Sequence, residues 1–415
     1  MTLTLRPHQS RALDALQQND LGQILVPTGG GKTLIMIQDV KRRFVDFATP
    51  QVAVVVAPRI LLANQLCAEF SEYIDNANMI HVHSGETHHF KTTKSERIKL
   101  AVEMCKTVGA HCIIFTTYHS LGRIVDAGID VNVAYFDEAH NSTQKSHFVA
   151  TAATSLAADS AYFFTATPKH HRDPSANGMN NHTIYGKVIE SVRAQELIDG
   201  GCIIPPQVST YKVDLVRNRA TAAEADRNMI VDILDNIEQD NPKVLVSAPS
   251  TKVMWNMLTR SDVLSELEER GFDVLHITSK HGAYVNKTKV NREKFFDTLT
   301  EWGKDPNRKF VLLHYSILSE GINVHGLTHC IMLRQMPIIE MAQTVGRVIR
   351  MNKDDAQDIA SGKIPAGACH LYRKQFGEVI VPVFTNYGSA IAKRLQGVVD
   401  CIFAKGMPAV STITR

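Results

Sequence analysis

The sequence predicts an α/β protein of two domains, each a mostly parallel sheet flanked by helices. Three observations carry this. The chain has 415 residues, more than one ordinary hydrophobic core accommodates. Short runs that are apolar on both faces alternate with helical patterns, as in parallel strands covered by helices. The alternation is interrupted at "GGCIIPPQ" (200–207), where two glycines and two prolines favour an irregular crossing.

Before that break, the runs Gln23–Val26, Val52–Ala57, Cys112–Thr116, Val131–Phe136 and Ala161–Phe164 read as strands. Between them, Leu62, Leu66 and Phe70 recur every fourth residue, which places them on one face of a helix. After it, Lys243–Ala248, Phe272–Thr278, Phe310–Tyr315 and Thr328–Leu333 repeat the pattern. The expected domains are residues 1–205 and 206–415, each long enough to close its own core. Within the second, the segment 351–415 carries Ile391, Leu395, Val398 and Ile402 at helical spacing, as a cover for the second sheet.

Composition narrows the classes. Hydrophobic residues at 44% and charged residues at 21% belong to a folded soluble protein rather than a disordered one. With a formal charge of only +3, a nucleic-acid partner has to bind local basic strips. Seven scattered cysteines with no C-x-x-C pair suggest neither a zinc knuckle nor a disulfide framework, and read as reduced intracellular thiols. Arg6 and the lack of any apolar run of about 18 residues argue against a signal peptide and a membrane span. The expected location is cytoplasmic, beside the nucleoid in a prokaryotic or phage setting.

"QILVPTGGGKT" (23–33) concentrates the chemistry. A strand runs into Thr28, Gly29, Gly30 and Gly31, whose backbone amides can turn inward on a phosphate without Cβ clashes. Lys32 supplies charge to the β- and γ-phosphates, and the Thr33 hydroxyl suits a magnesium ion. Val26 stands where the strict phosphate-loop pattern has glycine, a position that does not build the cradle. The bland alternative is a glycine-rich turn that happens to end in Lys-Thr. A second anchor counts against it: "AYFDEAH" (134–140) ends a buried strand with Asp137, suited to Mg2+, and Glu138, suited to deprotonating a water.

With both motifs present, the chain resembles the superfamily 2 helicases and translocases. "LRPHQ" (5–9) resembles their adenine-reading element, implying that Gln9 bonds the base and Arg6 assists. "VVAPRILLANQ" (55–65), "TTYHSL" (116–121) and "TATP" (165–168) resemble motifs Ia, Ib and III. "VSAPS" (246–250), "SEGINV" (319–324) and "QTVGRVIR" (343–350) resemble motifs IV, V and VI. "VRAQELIDGGCIIPP" and "GINVHGLTHC" look most like phage UvsW-type DNA helicases and the motor subunits of type I and III restriction enzymes. Two positions depart from the pattern: Asn323 stands where motif V usually has aspartate, and Thr165 where motif III more often has serine.

The resemblance implies two tandem RecA-like domains with ATP and Mg2+ in the cleft between them. Gly321 and Asn323 are then expected near the ribose, and His140, Thr165 and Thr167 as coupling residues. It makes Arg347 and Arg350 arginine fingers, three apart on one helical face, with Gln343 a turn earlier sensing the γ-phosphate or pairing with His140. A single strand would be held by its phosphates, with Arg59, Thr117, Ser120, Ser250, Thr278 and Ser279 as candidates. The basic stretch 279–294 suits the flank of that groove or, equally, a solvated loop.

DNA, single-stranded or branched, is the partner the resemblance favours, and RNA stays open. No nuclease or methyltransferase signature accompanies the motor, so a protein partner is expected to supply targeting or cleavage. The alternatives are a motor subunit feeding a nuclease, and a nucleotide-gated binding protein, which would need no Arg347, Arg350 or Gln343. His81 and His83, alternating on an apparent strand, and His88 and His89, in a polar loop, invite a metal reading, but no Cys or acid cluster completes a ligand set, and a variable surface loop is expected.

Overall fold

The computed structural model describes residues 5–46, 49–214, 216–278, 280–315, 324, 326–384 and 388–413. The chain forms two compact units, Met1–Arg193 with Pro408–Arg415, and Ala194–Met407.

In the first unit, nine strands precede the division among the described residues. They are β1 (Leu21–Leu25), β2 (Val52–Ala57), β3 (Ala77–Val82), β4 (Phe90–Lys91), β5 (His111–Thr117), β6 (Val133–Phe136), β7 (Ser160–Thr165), β8 (Lys169–His171) and β9 (Lys187–Ser191). Eight of them make one sheet in the order β4-β3-β5-β2-β6-β7-β1-β9, parallel at every pairing. All six residues of β2 are buried, because neighbouring strands and helices cover both faces of this Val-rich run. Helix Ile60–Ser71 buries Leu62, Leu66 and Phe70, as their spacing predicts.

The second unit holds β10 (Pro206–Val213), β11 (Lys243–Ser247), β12 (Asp273–Thr278), β13 (Gly282–Val285), β14 (Thr288–Val290), β15 (Phe310–His314), β16 (His329–Met332) and β17 (Gly377–Phe384). Their order is β10-β17-β16-β11-β15-β12-β13-β14. Pairing is parallel from β10 to β12 and antiparallel for the hairpin β13–β14 at the edge. Helix Ser389–Val399 buries Ile391, Leu395 and Val398 and packs on β10 and β17, as a cover for this sheet. Ile402 lies past its end and is only half-buried.

The division at Arg193 differs from the expected boundary after residue 205. Residues 194–205 join the second unit because Ile203 and Ile204 are fully buried there. Ile204 N–H donates to Ile349 O at 2.9 Å, and Gly377 N–H donates to Pro205 O at 3.0 Å. The far end of the chain differs too: β18 (Ser411–Ile413) pairs in parallel with β8, so 408–415 belongs to the first unit. Among the described residues, no helix is long and apolar enough to cross a membrane.

Candidate functional site

The glycine run lies where β1 ends and helix Lys32–Asp46 begins. Gly29 and Gly31 have φ of 89° and 78°, a region in which a side chain would be strained. A Cβ on Gly31 would also run into the Gln9 amide. The loop is held from helix Pro7–Gln18: His8 Nε2 contacts Gly30 O at 2.8 Å, and Gln9 Oε1 accepts from Arg6 N–H at 3.0 Å. Gln9 is buried against the loop, while Arg6 is exposed. Thr28 and Thr33 are half-buried on either side of the glycines.

Lys32 is not alone there. Its Nζ donates to Glu138 Oε1 at 3.0 Å, with both side chains nearly buried. The strand order explains how residues 106 apart meet: β6, which delivers Glu138, is separated from β1 by β7 alone. Glu138 has φ 45° and ψ 52°, left-handed backbone that a non-glycine residue adopts only under tertiary constraint. His140 Nδ1 lies 3.6 Å from Glu138 Oε2 and 3.1 Å from Thr165 Oγ1. Thr165 Oγ1 in turn accepts from Thr167 N–H at 3.1 Å. A buried polar chain thus runs from Lys32 through Glu138 and His140 to the end of β7.

Asp137 fits a metal ligand. It is buried, and its Oδ1 has no hydrogen-bond partner among the described residues, a costly arrangement unless an ion or ligand completes it. Burial, reinforced by the neighbouring Glu138 charge, pushes its carboxyl up to about 7, and Lys32 opposes the shift. With Thr33 at the helix start, this donor set of a carboxylate and a hydroxyl suits a hard cation such as Mg2+.

Two further residues complete the framework, and neither shows a sequence signal by itself. Tyr118 OH donates to Asp137 O at 2.8 Å, and Asn141 Nδ2 donates to Glu138 O at 3.0 Å. Together they fix the backbone on both sides of the Asp-Glu pair. Tyr118 lies inside the motif Ib stretch, and Asn141 immediately follows the DEAH stretch.

In the second unit, helix Ile338–Val348 carries Gln343 and Arg347, both buried. Gln343 Nε2 has no partner among the described residues. Arg350 corrects the expectation of one shared helical face: the helix ends at Val348, and Arg350 forms an isolated antiparallel bridge with Ile203. A buried lysine holds this exit. Lys374 Nζ donates to Val348 O at 2.6 Å, Leu327 O at 2.6 Å and Arg350 O at 3.1 Å. Val348 O and Arg350 O lie at and just beyond the C-terminus of this helix, where an ammonium is favoured, although burial pushes the Lys374 amine down to about 7.

The described candidate nucleic-acid residues sit at or just beyond carboxyl ends of parallel strands, where open α/β sheets bind ligands. Arg59 follows β2, and Thr117 ends β5 with Ser120 just beyond. In the second unit, Ser250 follows β11 and Thr278 ends β12. Arg59 is exposed, but Thr117 and Thr278 are buried, and Thr278 Oγ1 accepts from His281 N–H at 2.8 Å. Ser250 caps helix Thr251–Arg260 through Val253 N–H at 3.1 Å. Ser279, Gly321 and Asn323 lie outside the described residues.

Two family matches cover most of the chain. Residues 2–170 match the Type III restriction enzyme res subunit, and residues 226–352 match the helicase conserved C-terminal domain. No curated protein sequence matches. Among solved structures, the chain is similar to the ATP-dependent Type ISP restriction-modification enzyme LlaBIII bound to DNA, with TM-score 0.72 and 15% identity over 100% of this chain and 31% of that one. A nuclease-deletion mutant of the Type ISP enzyme LlaGI, in complex with a DNA substrate mimic, gives 0.64 and 17% over 98% and 30%. Dbp5 of S. cerevisiae bound to RNA and ADP BeF3 gives 0.56 and 14% over 98% and 89%. At such identities the likeness concerns the fold: two RecA-like domains. The chain spans about a third of the length of the two restriction-modification enzymes.

Proposed function

We propose that this chain, which carries the ATP-binding and C-terminal domains of superfamily 2 helicases, is an ATP-dependent DNA translocase or helicase. Its domains are those of nucleic-acid-dependent ATPases, and DNA as the track is our reading. The observation that carries it is the buried chain Lys32–Glu138–His140–Thr165 beside the unpartnered Asp137 oxygen.

The chemistry follows from those residues. The glycine amides and Lys32 bind the phosphates of ATP, which draws the Lys32 ammonium away from Glu138. Glu138 then accepts a proton from the attacking water, as the water oxygen bonds to the γ-phosphorus and the bond to the β–γ bridging oxygen breaks. Thr33 and Asp137 would hold Mg2+, which when bound offsets charge on the β- and γ-phosphates. Arg347 and Arg350 are proposed to stabilise charge on the transferred group, with Gln343 sensing it. His140, Thr165 and Thr167 relay the state of Glu138 to the strand ends that carry the candidate DNA contacts.

The restriction-subunit match supports a second reading, a motor that feeds DNA to a separate nuclease. Steady-state ATPase with no polymer, single-stranded DNA, duplex DNA, forked DNA and RNA tests both. Stimulation by DNA is expected. Indifference to every polymer removes the motor reading, and stimulation by RNA alone replaces DNA. Duplex-stimulated turnover without separation of forked strands selects the nuclease-feeding motor over unwinding or branch migration.

A further inference from the structure

We propose that Cys67, His81 and His89 form a binding site for a borderline-soft divalent cation, Zn2+ foremost, which pins the 83–89 loop to helix Ile60–Ser71. One ligand atom from each residue lies within 4.8 Å of the others. Zinc bonded at about 2.0–2.1 Å to nitrogen and about 2.3 Å to sulfur holds such atoms roughly 3.3–3.7 Å apart. A contraction of about 1 Å closes the set. His89 can supply it, being exposed on its loop, while Cys67 and His81 are fixed in the core.

His81 is the strongest sign of a ligand. Its side chain is fully buried, and its Nε2 has no hydrogen-bond partner among the described residues. Its Nδ1 is engaged with His83 Nε2 at 2.8 Å, which leaves Nε2 as the ring nitrogen without a partner. Burial, and then the neighbouring His83 and His89, hold the His81 ring down to about 4, so it is neutral at physiological pH. The Cys67 thiol, pushed up to about 11 by burial, gives up its proton to solvent as the metal–sulfur bond forms. Gly85 N–H donates to His83 Nδ1 at 3.2 Å and Asn64 Oδ1 faces His83 Nε2 at 3.1 Å, so His83 carries its proton on Nε2 and His81 Nδ1 accepts from it. Ligation at His81 Nε2 moves that ring's proton to its Nδ1, which opens the His81–His83 bond and leaves His83 Nε2–H to Asn64 Oδ1.

The loop is already built to lie against this helix. Asn64 Nδ2 donates to Glu86 O at 2.8 Å. Gly85 packs on Ile60, where a Cβ would collide with Ile60 Cγ2. Ile60 and Asn64 both belong to the motif Ia stretch, so the cation would clamp the loop onto the segment that follows Arg59.

Titration of the full chain with Zn2+ alone, by calorimetry, is expected to show one tight equivalent and a rise in Tm. Co2+ in its place is expected to give a thiolate-to-metal charge-transfer band and tetrahedral visible bands. Cys67→Ser removes the charge-transfer band, and His89→Ala weakens Zn2+ binding by roughly tenfold or more. Cys369→Ser, in the other unit, changes neither. Because His89 is exposed, its variant folds even if Cys67→Ser does not, and circular dichroism checks this. Absence of a tight equivalent in the wild-type chain, or wild-type affinity in His89→Ala, overturns the site.

Discussion

Both units place charged groups at the ends of parallel strands, but they hold them differently. In the first, side chain bonds to side chain: Lys32 to Glu138, and His140 to Thr165. Beneath them, Asp39 Oδ2, fully buried in the phosphate-loop helix, accepts from Tyr135 OH at 2.6 Å and Arg43 Nε at 2.9 Å. Arg43 reaches on to Tyr162 OH at 2.8 Å, which ties the helix to β6 and β7. In the second unit the arginine segment is held through its backbone, by Val348 O and Arg350 O, which receive Lys374. The difference teaches where damage should appear. Substitutions in the first network strike the chemistry directly, while those around the second loosen the support of Arg347 and Arg350.

The largest expected effects break the first network at its reacting end. Lys32→Ala and Glu138→Gln should each reduce DNA-stimulated ATP turnover by at least about a hundredfold. Glu138→Gln should still bind nucleotide, measured by fluorescent-nucleotide titration. Near-normal turnover in either variant would falsify the proposed roles. Next in size is Arg347→Ala, expected to lose turnover by about a hundredfold while retaining nucleotide affinity. Unchanged ATPase there refutes the finger role.

Stability comes after chemistry. Asp39→Asn leaves Arg42 and Arg43 without their carboxylate, and should cost about 3–5 kcal/mol in denaturant unfolding. A loss below about 1 kcal/mol would mean that solvent already compensates the network. Lys374→Met should cost about 2–3 kcal/mol and lower ATPase as well, since Val348 O and Arg350 O lose their donor. Normal turnover with reduced stability would separate the clamp from the arginines it supports.

The smallest effect is a pH slope. Burial holds His276 down to about 4 and His314 to about 3, both below the ordinary value near 6.5. The unfolded chain therefore binds more protons below pH 6.5, so this stability is present above 6.5 and lost as pH falls toward 4. Tm should decline across that window, and His276→Gln should make the decline shallower. A Tm indifferent to pH there removes this account.

Much was legible in the sequence for a local reason. The runs behind β2, β5, β7, β11 and β15 are apolar on both faces, a requirement of strands buried between helices. The phosphate loop announces itself because only glycines tolerate the conformations at residues 29 and 31. Helical spacing, by contrast, misplaced Arg350: it extrapolated a helix that stops at Val348, where Ile204 and Lys374 take the last carbonyls. The unit boundary shifted for a related reason, because Ile203 and Ile204 are buried by partners remote in sequence.

By itself, then, the sequence determined the α/β class, the strand positions and the residue types of a phosphate site, since each depends on neighbours a few positions apart. Tertiary structure alone decided which distant side chains meet. Tyr118 under Asp137, Lys374 on Arg350, and Cys67 beside His81 follow from strand order and helix docking. Those are fixed by the packing of whole faces, and no local pattern encodes them.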